Sequence, residues 1–117
     1  MNLSPAEAEL FHDAVDDYYG LWEAVLGMKN VFPHYDETQL RNAAESTLRC
    51  LLSKGWLELC RRIAFEPNAI PLEPSETEAI LADPESWKMP AFGEVEVCYI
   101  ATDEGQRATN HHRQMGG

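Results

Sequence analysis

The side chains able to do chemistry are few, and their spacing suits little of it. The four histidines, His12, His34, His111 and His112, contain no H-E-x-x-H spacing, and the neighbours His111 and His112 diverge in any regular structure. Cys50, Cys60 and Cys98 form no C-x-x-C pair. Neither a metal site nor a cofactor is expected. No G-x-S-x-G, no phosphate-cradling glycine loop and no dinucleotide fingerprint occurs, and Gly20 and Gly27 stand alone within a helical pattern. Carboxylates are abundant, including the neighbours Asp16 and Asp17, but they read as solvent-facing, without the desolvation that tunes a general acid. An enzyme is not expected. What remains is charge.

Twenty acids against nine lysines and arginines give a formal net charge of -11. It is unevenly spread: residues 1–35 carry -5, residues 36–66 are balanced and residues 67–117 carry -6. Such a field repels a nucleic-acid duplex at long range and steers a basic protein toward it. A basic protein partner is the expectation.

With 117 residues and 44% apolar composition the chain can build one hydrophobic core and hardly two, so residues 1–108 are expected to form a single domain. No apolar run approaches the 18–20 or so residues needed to span a bilayer, and "MNLSPAEAELF" has neither the basic start nor the apolar stretch of a signal peptide. No membrane association and a cytoplasmic location are expected, with the cysteines reduced and buried as small hydrophobes. The tail 109–117, with "NHHRQMGG", reads as disordered.

The elements that must carry the charges begin at Ser4, Pro5 and Glu7, a capping-box start. Leu10, Phe11, Ala14, Val15, Tyr18, Trp22, Val25 and Leu26 then recur at three- and four-residue steps, predicting a buried helical stripe with a kink or break at Gly20. Its far side would carry Glu9, Asp13, Asp16, Asp17 and Glu23, a run of carboxylates without an interleaved base. Asp36 and Gln39 repeat the capping signature, and Leu40, Ala43, Ala44, Thr47, Leu48, Leu51 and Leu52 predict a second helix over about 37–54. On its exposed side Glu45 lies four residues from both Arg41 and Arg49 and can pair with either. That leaves Arg41, Asn42, Arg49 and Lys54 as the candidates for contacting DNA.

Gly55 stops this helix, and the pattern switches to period two. Leu57, Leu59, Ile63 and Phe65 are expected on the core side, with Trp56, Glu58, Cys60 and Arg62 facing the other way. A second strand over about 94–101 puts Val95, Val97, Tyr99 and Ala101 on one face. The two should pair antiparallel, with Arg61 or Arg62 opposite Glu94 or Glu96. Between them lies a proline-punctuated insertion, residues 67–93, in which Ser75 and Glu78 read as a third capping box. Ile80, Leu81 and Trp87 would fold it back onto the body, or Trp87 would stand out as an interface anchor.

The order helix, helix, Gly55, strand, long wing, strand resembles winged-helix transcription regulators, whose last wing strand leads through Tyr-x-x-Thr-x-x-Gly into a final helix. Tyr99, Thr102 and Gly105 match that pattern. The resemblance covers about 36–65 and 94–108. It implies an α+β, winged-helix-like fold: two main helices packed on a two-stranded antiparallel hairpin with a long, partly helical wing insertion. Two features differ from such regulators: the short second helix of the helix-turn-helix has no segment of its own, and the wing is acidic. The expected function is a small acidic protein-binding domain that occludes a basic partner, as inhibitors, antitoxins, immunity proteins and nucleic-acid mimics do. Glu9, Asp13, Asp16, Asp17 and Glu23 would steer and Trp87 would supply apolar contact. The alternative is a DNA-binding regulator that uses Arg41, Asn42, Arg49 and Lys54.

Overall fold

Ser4 and Glu7 close the first capping box, with the Glu7 amide donating to Ser4 Oγ at 3.1 Å and the Ser4 amide to Glu7 Oε1 at 2.9 Å. In the computed structural model, which describes residues 3–116 and side chains through residue 109, helix α1 (Pro5–Asp13) starts there. It ends earlier than the apolar spacing predicts. Residues 14–18 turn and bend, Tyr19–Gly20 forms a short strand β1, and α2 (Leu21–Val31) begins anew. Of the kink or break expected at Gly20 the chain makes the break, but over residues 14–20, with Gly20 as the N-cap of the second helix. Asp17 bonds the nearby backbone instead of continuing the helix, its Oδ1 accepting from the Tyr18 amide at 2.8 Å. Gly20 adjoins Trp22 and Glu96 so closely that a Cβ there would collide with both side chains. The restart also rotates the buried face: α2 buries Leu21, Ala24, Gly27 and Met28, while Leu26, expected in the core, is 48% exposed.

Helix α3 (Glu37–Ser53) follows its pattern closely. Asp36 and Gln39 exchange capping bonds of 2.8 and 2.9 Å, and Leu40, Ala44, Thr47, Leu48 and Leu51 are buried. Helix α2 thus precedes α3 as a separate helix. Gly55 adopts φ +75°, the left-handed stop expected of it.

Strand β2 (Leu57–Ile63) pairs antiparallel with a later strand, Val95–Ala101, from Leu57↔Ala101 to Ile63↔Val95. Between them Ile70–Pro71 forms β3 on the outer edge of β2, and helix α4 (Thr77–Ala82) follows; Val95–Ala101 is therefore β4. On its other side β4 pairs with β1, giving the order β1-β4-β2-β3. Among the described residues the fold is α+β with five α-helices and a four-stranded antiparallel sheet, in place of two main helices on a two-stranded hairpin with a partly helical insertion.

Leu57, Leu59, Tyr99 and Ala101 on one sheet face join Leu10, Phe11, Leu21, Met28, Leu48, Leu51 and Leu81 in the core. Three expected positions in and beside β2 are reversed. Trp56, read as facing outward, is buried, with its ring 6.2 Å from that of Phe11. Ile63 and Phe65, read as core, are exposed, Phe65 at 55% and with φ +69°. The core ends before the end of the strand, so alternation continues there without burial. Cys60 and Cys98 face each other, buried, across β2 and β4, whereas Cys50 is exposed, contrary to expectation; all three are free thiols.

The 67–93 insertion folds onto the body as the first of its two readings predicts. Its cap is different: the Glu73 amide bonds Glu76 Oε2 at 3.1 Å, so Ser75 and Glu78 do not form the box. Ile80, Leu81 and Trp87 are all buried in the core. Beyond β4, Thr102 Oγ1 donates to the Gly55 carbonyl at 2.6 Å and accepts from the Gly105 amide at 3.0 Å. A Cβ at Gly105 would strike the Trp56 carbonyl, which explains the spacing of Thr102 and Gly105. Helix α5 (Asp103–Gly116) follows, so the backbone is helical through most of the stretch read as a disordered tail, and Gly117 lies outside the described residues.

Candidate functional site

The five carboxylates expected on one helical stripe are distributed differently. Glu9 lies on α1, Asp13 ends it, Asp16 and Asp17 occupy the bend, and Glu23 is in the first turn of α2. The chain reversal gathers several of them around the tyrosines of β1 and β4. Burial pushes the Tyr99 phenol up, and the charges of Asp13, Glu23 and Glu9 add to it. Tyr19 is raised by burial and then by Asp13, Glu23 and Asp17. The acids also act on one another. Desolvation followed by the charge of Glu9 raises the Asp13 carboxyl, and desolvation raises Glu23, with Glu96 and Asp17 contributing.

Among the described residues none of these five carboxylates forms an ion pair. Glu9 accepts from Asn30 Nδ2 at 2.9 Å, Asp17 from the Tyr18 amide, and Glu23 from the Gly20 amide at 3.0 Å. Asp16 and Asp17 are exposed, and the other three are half-exposed. Their negative charge is therefore presented to solvent.

Beside this turn lies a cleft of about 400 Å³ between the start of α2 and the end of β2. Tyr18, Tyr19, Trp22 and Phe65 supply its aromatic walls, Asp17, Glu23 and Glu66 its carboxylates, and Arg62 its one base. The Arg62 Nε donates to Glu96 Oε2 at 2.9 Å, and the Trp22 indole donates to Glu96 Oε1, also at 2.9 Å. This is one of the cross-strand pairs anticipated between Arg61 or Arg62 and Glu94 or Glu96, with side chains only 9% and 2% exposed. The Arg62 guanidinium also lies 5.8 Å from the centre of the Tyr18 ring.

The bases considered for DNA contact are held differently. Arg41 donates to the Leu81 carbonyl at 3.1 Å, pairs with Glu45 at 3.4 Å and stacks 4.1 Å over Trp87. Arg49 pairs with both Glu45 and Glu78. Lys54 donates to Glu7 Oε2 at 2.9 Å and lies over the Trp56 ring. The Ser4 amide and then Lys54 hold the Glu7 carboxyl down at about 2. Asn42 alone of the four is exposed, the other three being half-buried. Trp87 is only 8% exposed, and its indole donates to the Leu81 carbonyl at 3.0 Å; its place as an apolar anchor for a partner is corrected to a core position. Tyr18, Trp22, Arg62 and Phe65 were missed as site residues. The available signal was the aromatic density of residues 18–22 directly after Asp16 and Asp17.

Among the described residues no group of three or more His, Cys, Asp and Glu side chains could hold a metal ion, and no helix is long and apolar enough to cross a membrane. No protein-family model, curated protein or solved structure matches the chain.

Proposed function

We propose that this chain is a small acidic protein-binding domain that occludes a basic partner, with the α1–β1–α2 turn as the face that meets it. The observation carrying this reading is the contrast in pairing. Glu9, Asp13, Asp16, Asp17 and Glu23 make no ion pair among the described residues, whereas Arg41, Arg49 and Lys54 are engaged within the fold. Unpaired carboxylates at a chain reversal steer a cationic surface and raise its on-rate. The Tyr18, Trp22 and Phe65 side chains beside them replace Trp87 as the source of apolar contact.

The scaffold reading is winged-helix-like. It is supported by the order α1, β1, α2, α3, β2 and β4, by β4 lying between β1 and β2, and by the segment 64–94 standing where a wing would be. The second function, DNA binding through α3, draws support from the α2–α3 arrangement and from exposed Asn42, but its bases would have to break their internal pairs to reach phosphates. A titration at low salt against an oligo-arginine peptide and against a random DNA duplex separates the two. The acidic-face reading expects saturable, salt-sensitive binding of the peptide and none of the duplex; duplex binding without peptide binding would reverse the assignment.

A further inference from the structure

We infer that the aromatic cleft beside the acidic turn seats a single organic cation, the guanidinium or ammonium end of one partner side chain. This rests on the acidic-face reading and adds to it a ligand chemistry and a place. The cleft, at about 400 Å³, falls within the size of small-ligand sites, roughly 300–1,000 Å³. Tyr18, Trp22 and Phe65 line it with aromatic rings, whose faces attract cations, and Phe65 is exposed.

Charge selects the sign of the guest. Asp17, Glu23 and Glu66 line the cleft against Arg62 alone, which is itself paired with Glu96, so the balance remains negative after the protein's own base is counted. Arg62 is also a precedent: its guanidinium is held between a carboxylate and the Tyr18 ring, the same two kinds of group that the rest of the cleft offers. An anion would meet carboxylates before reaching Arg62, whose Nε and Nη1 are already bonded to Glu96 and to the Glu66 carbonyl. A neutral apolar guest would have to desolvate Asp17 and Glu23 without compensating either.

The test is a titration followed by NMR, with the Trp22 indole N–H, bonded to Glu96, as reporter because Trp22 lines the cleft. N-acetylarginine amide should shift that resonance saturably, and the uncharged isostere N-acetylcitrulline amide should not. Glu23→Gln, which retains an acceptor for the Gly20 amide, and Phe65→Ser, at an exposed position, should each weaken binding about two- to fivefold. Unchanged Trp56 and Trp87 indole resonances would verify that both variants are folded. Citrulline binding as well as arginine would overturn the inference. So would an unmoved Trp22 resonance with N-acetylarginine amide when the oligo-arginine peptide still binds, and that result would leave the acidic-face reading standing. Failure of the peptide as well would remove both.

Discussion

Helix α3 and the α1–β1–α2 turn both carry conspicuous charge, and they use it in opposite ways. On α3, Arg41, Arg49 and Lys54 reach Glu45, Glu78, Glu7 and the Leu81 carbonyl, and two of them cover tryptophan rings. At the turn, Glu9, Asp13, Asp16, Asp17 and Glu23 make no ion pair among the described residues, and all but Asp16 raise the pKa of neighbouring groups. A charge satisfied within the fold acts on stability. A charge left unsatisfied at the surface costs the fold a little and is available to a partner. Removing bases should therefore lower stability, whereas removing turn acids should change association.

The largest effect is expected at Arg62, a buried base paired inside the acidic region. Arg62→Met leaves Glu96 buried without its cation and should cost about 3–5 kcal/mol in urea unfolding. A loss below about 1 kcal/mol would mean that Glu96 reaches water and that the pair is not a buried one. Glu7 comes next. Its carboxyl is lowered from 4.5 to about 2, so its contribution is fully present above pH 4.5 and is lost as the pH falls through 2. That shift corresponds to about 3 kcal/mol. Glu7→Gln should lower stability at pH 7 and flatten the loss between pH 4.5 and 2 in a pH series of thermal melts. Arg41→Ala should cost about 1–2 kcal/mol through its stacking on Trp87 and its bond to Leu81, and should leave partner binding unchanged. A binding defect there without a stability defect would move α3 back among the contact surfaces. The smallest stability effect belongs to Asp13, Asp16 and Asp17, whose joint change to Asn should shift it by only a few tenths of a kcal/mol per site. The sign at Asp13 is favourable: a raised carboxyl destabilises the fold when ionised, so neutralising it removes a penalty present at pH 7.

Much of the framework was legible because local signals agree with the tertiary structure. The Asp36–Gln39 cap, the leucine stripe and the Gly55 stop place α3 within a residue of its observed end, and alternation places β2 and β4 and narrows the cross-strand pair to Arg61 or Arg62 with Glu94 or Glu96. The break in the first helix was harder to place because Tyr18, Trp22 and Val25 keep helical spacing across the bend. Only Gly20 and the two aspartates argue against continuity, and the two-residue β1 is too short to show a period. Trp87 could be read as core or anchor until Arg41, 46 positions away, is seen to stack on it. The cleft joins residues 17–23 to residues 62–67 through sheet pairing, so no local pattern announces it.

The measurement closest to the central claim compares association rates for two triple variants of equal charge. One carries Asp13→Asn, Asp16→Asn and Asp17→Asn. The other carries Glu37→Gln, Glu73→Gln and Asp103→Asn, at exposed sites scattered over the rest of the surface. Both are tested against the oligo-arginine peptide at low and at physiological salt. If the turn steers association, the turn variant associates more slowly than the scattered one at low salt, the difference lies mainly in the on-rate, and it narrows as salt is raised. Equal on-rates for the two variants at low salt would contradict that steering: the peptide would then be responding to net charge, and the turn would be ordinary solvated surface.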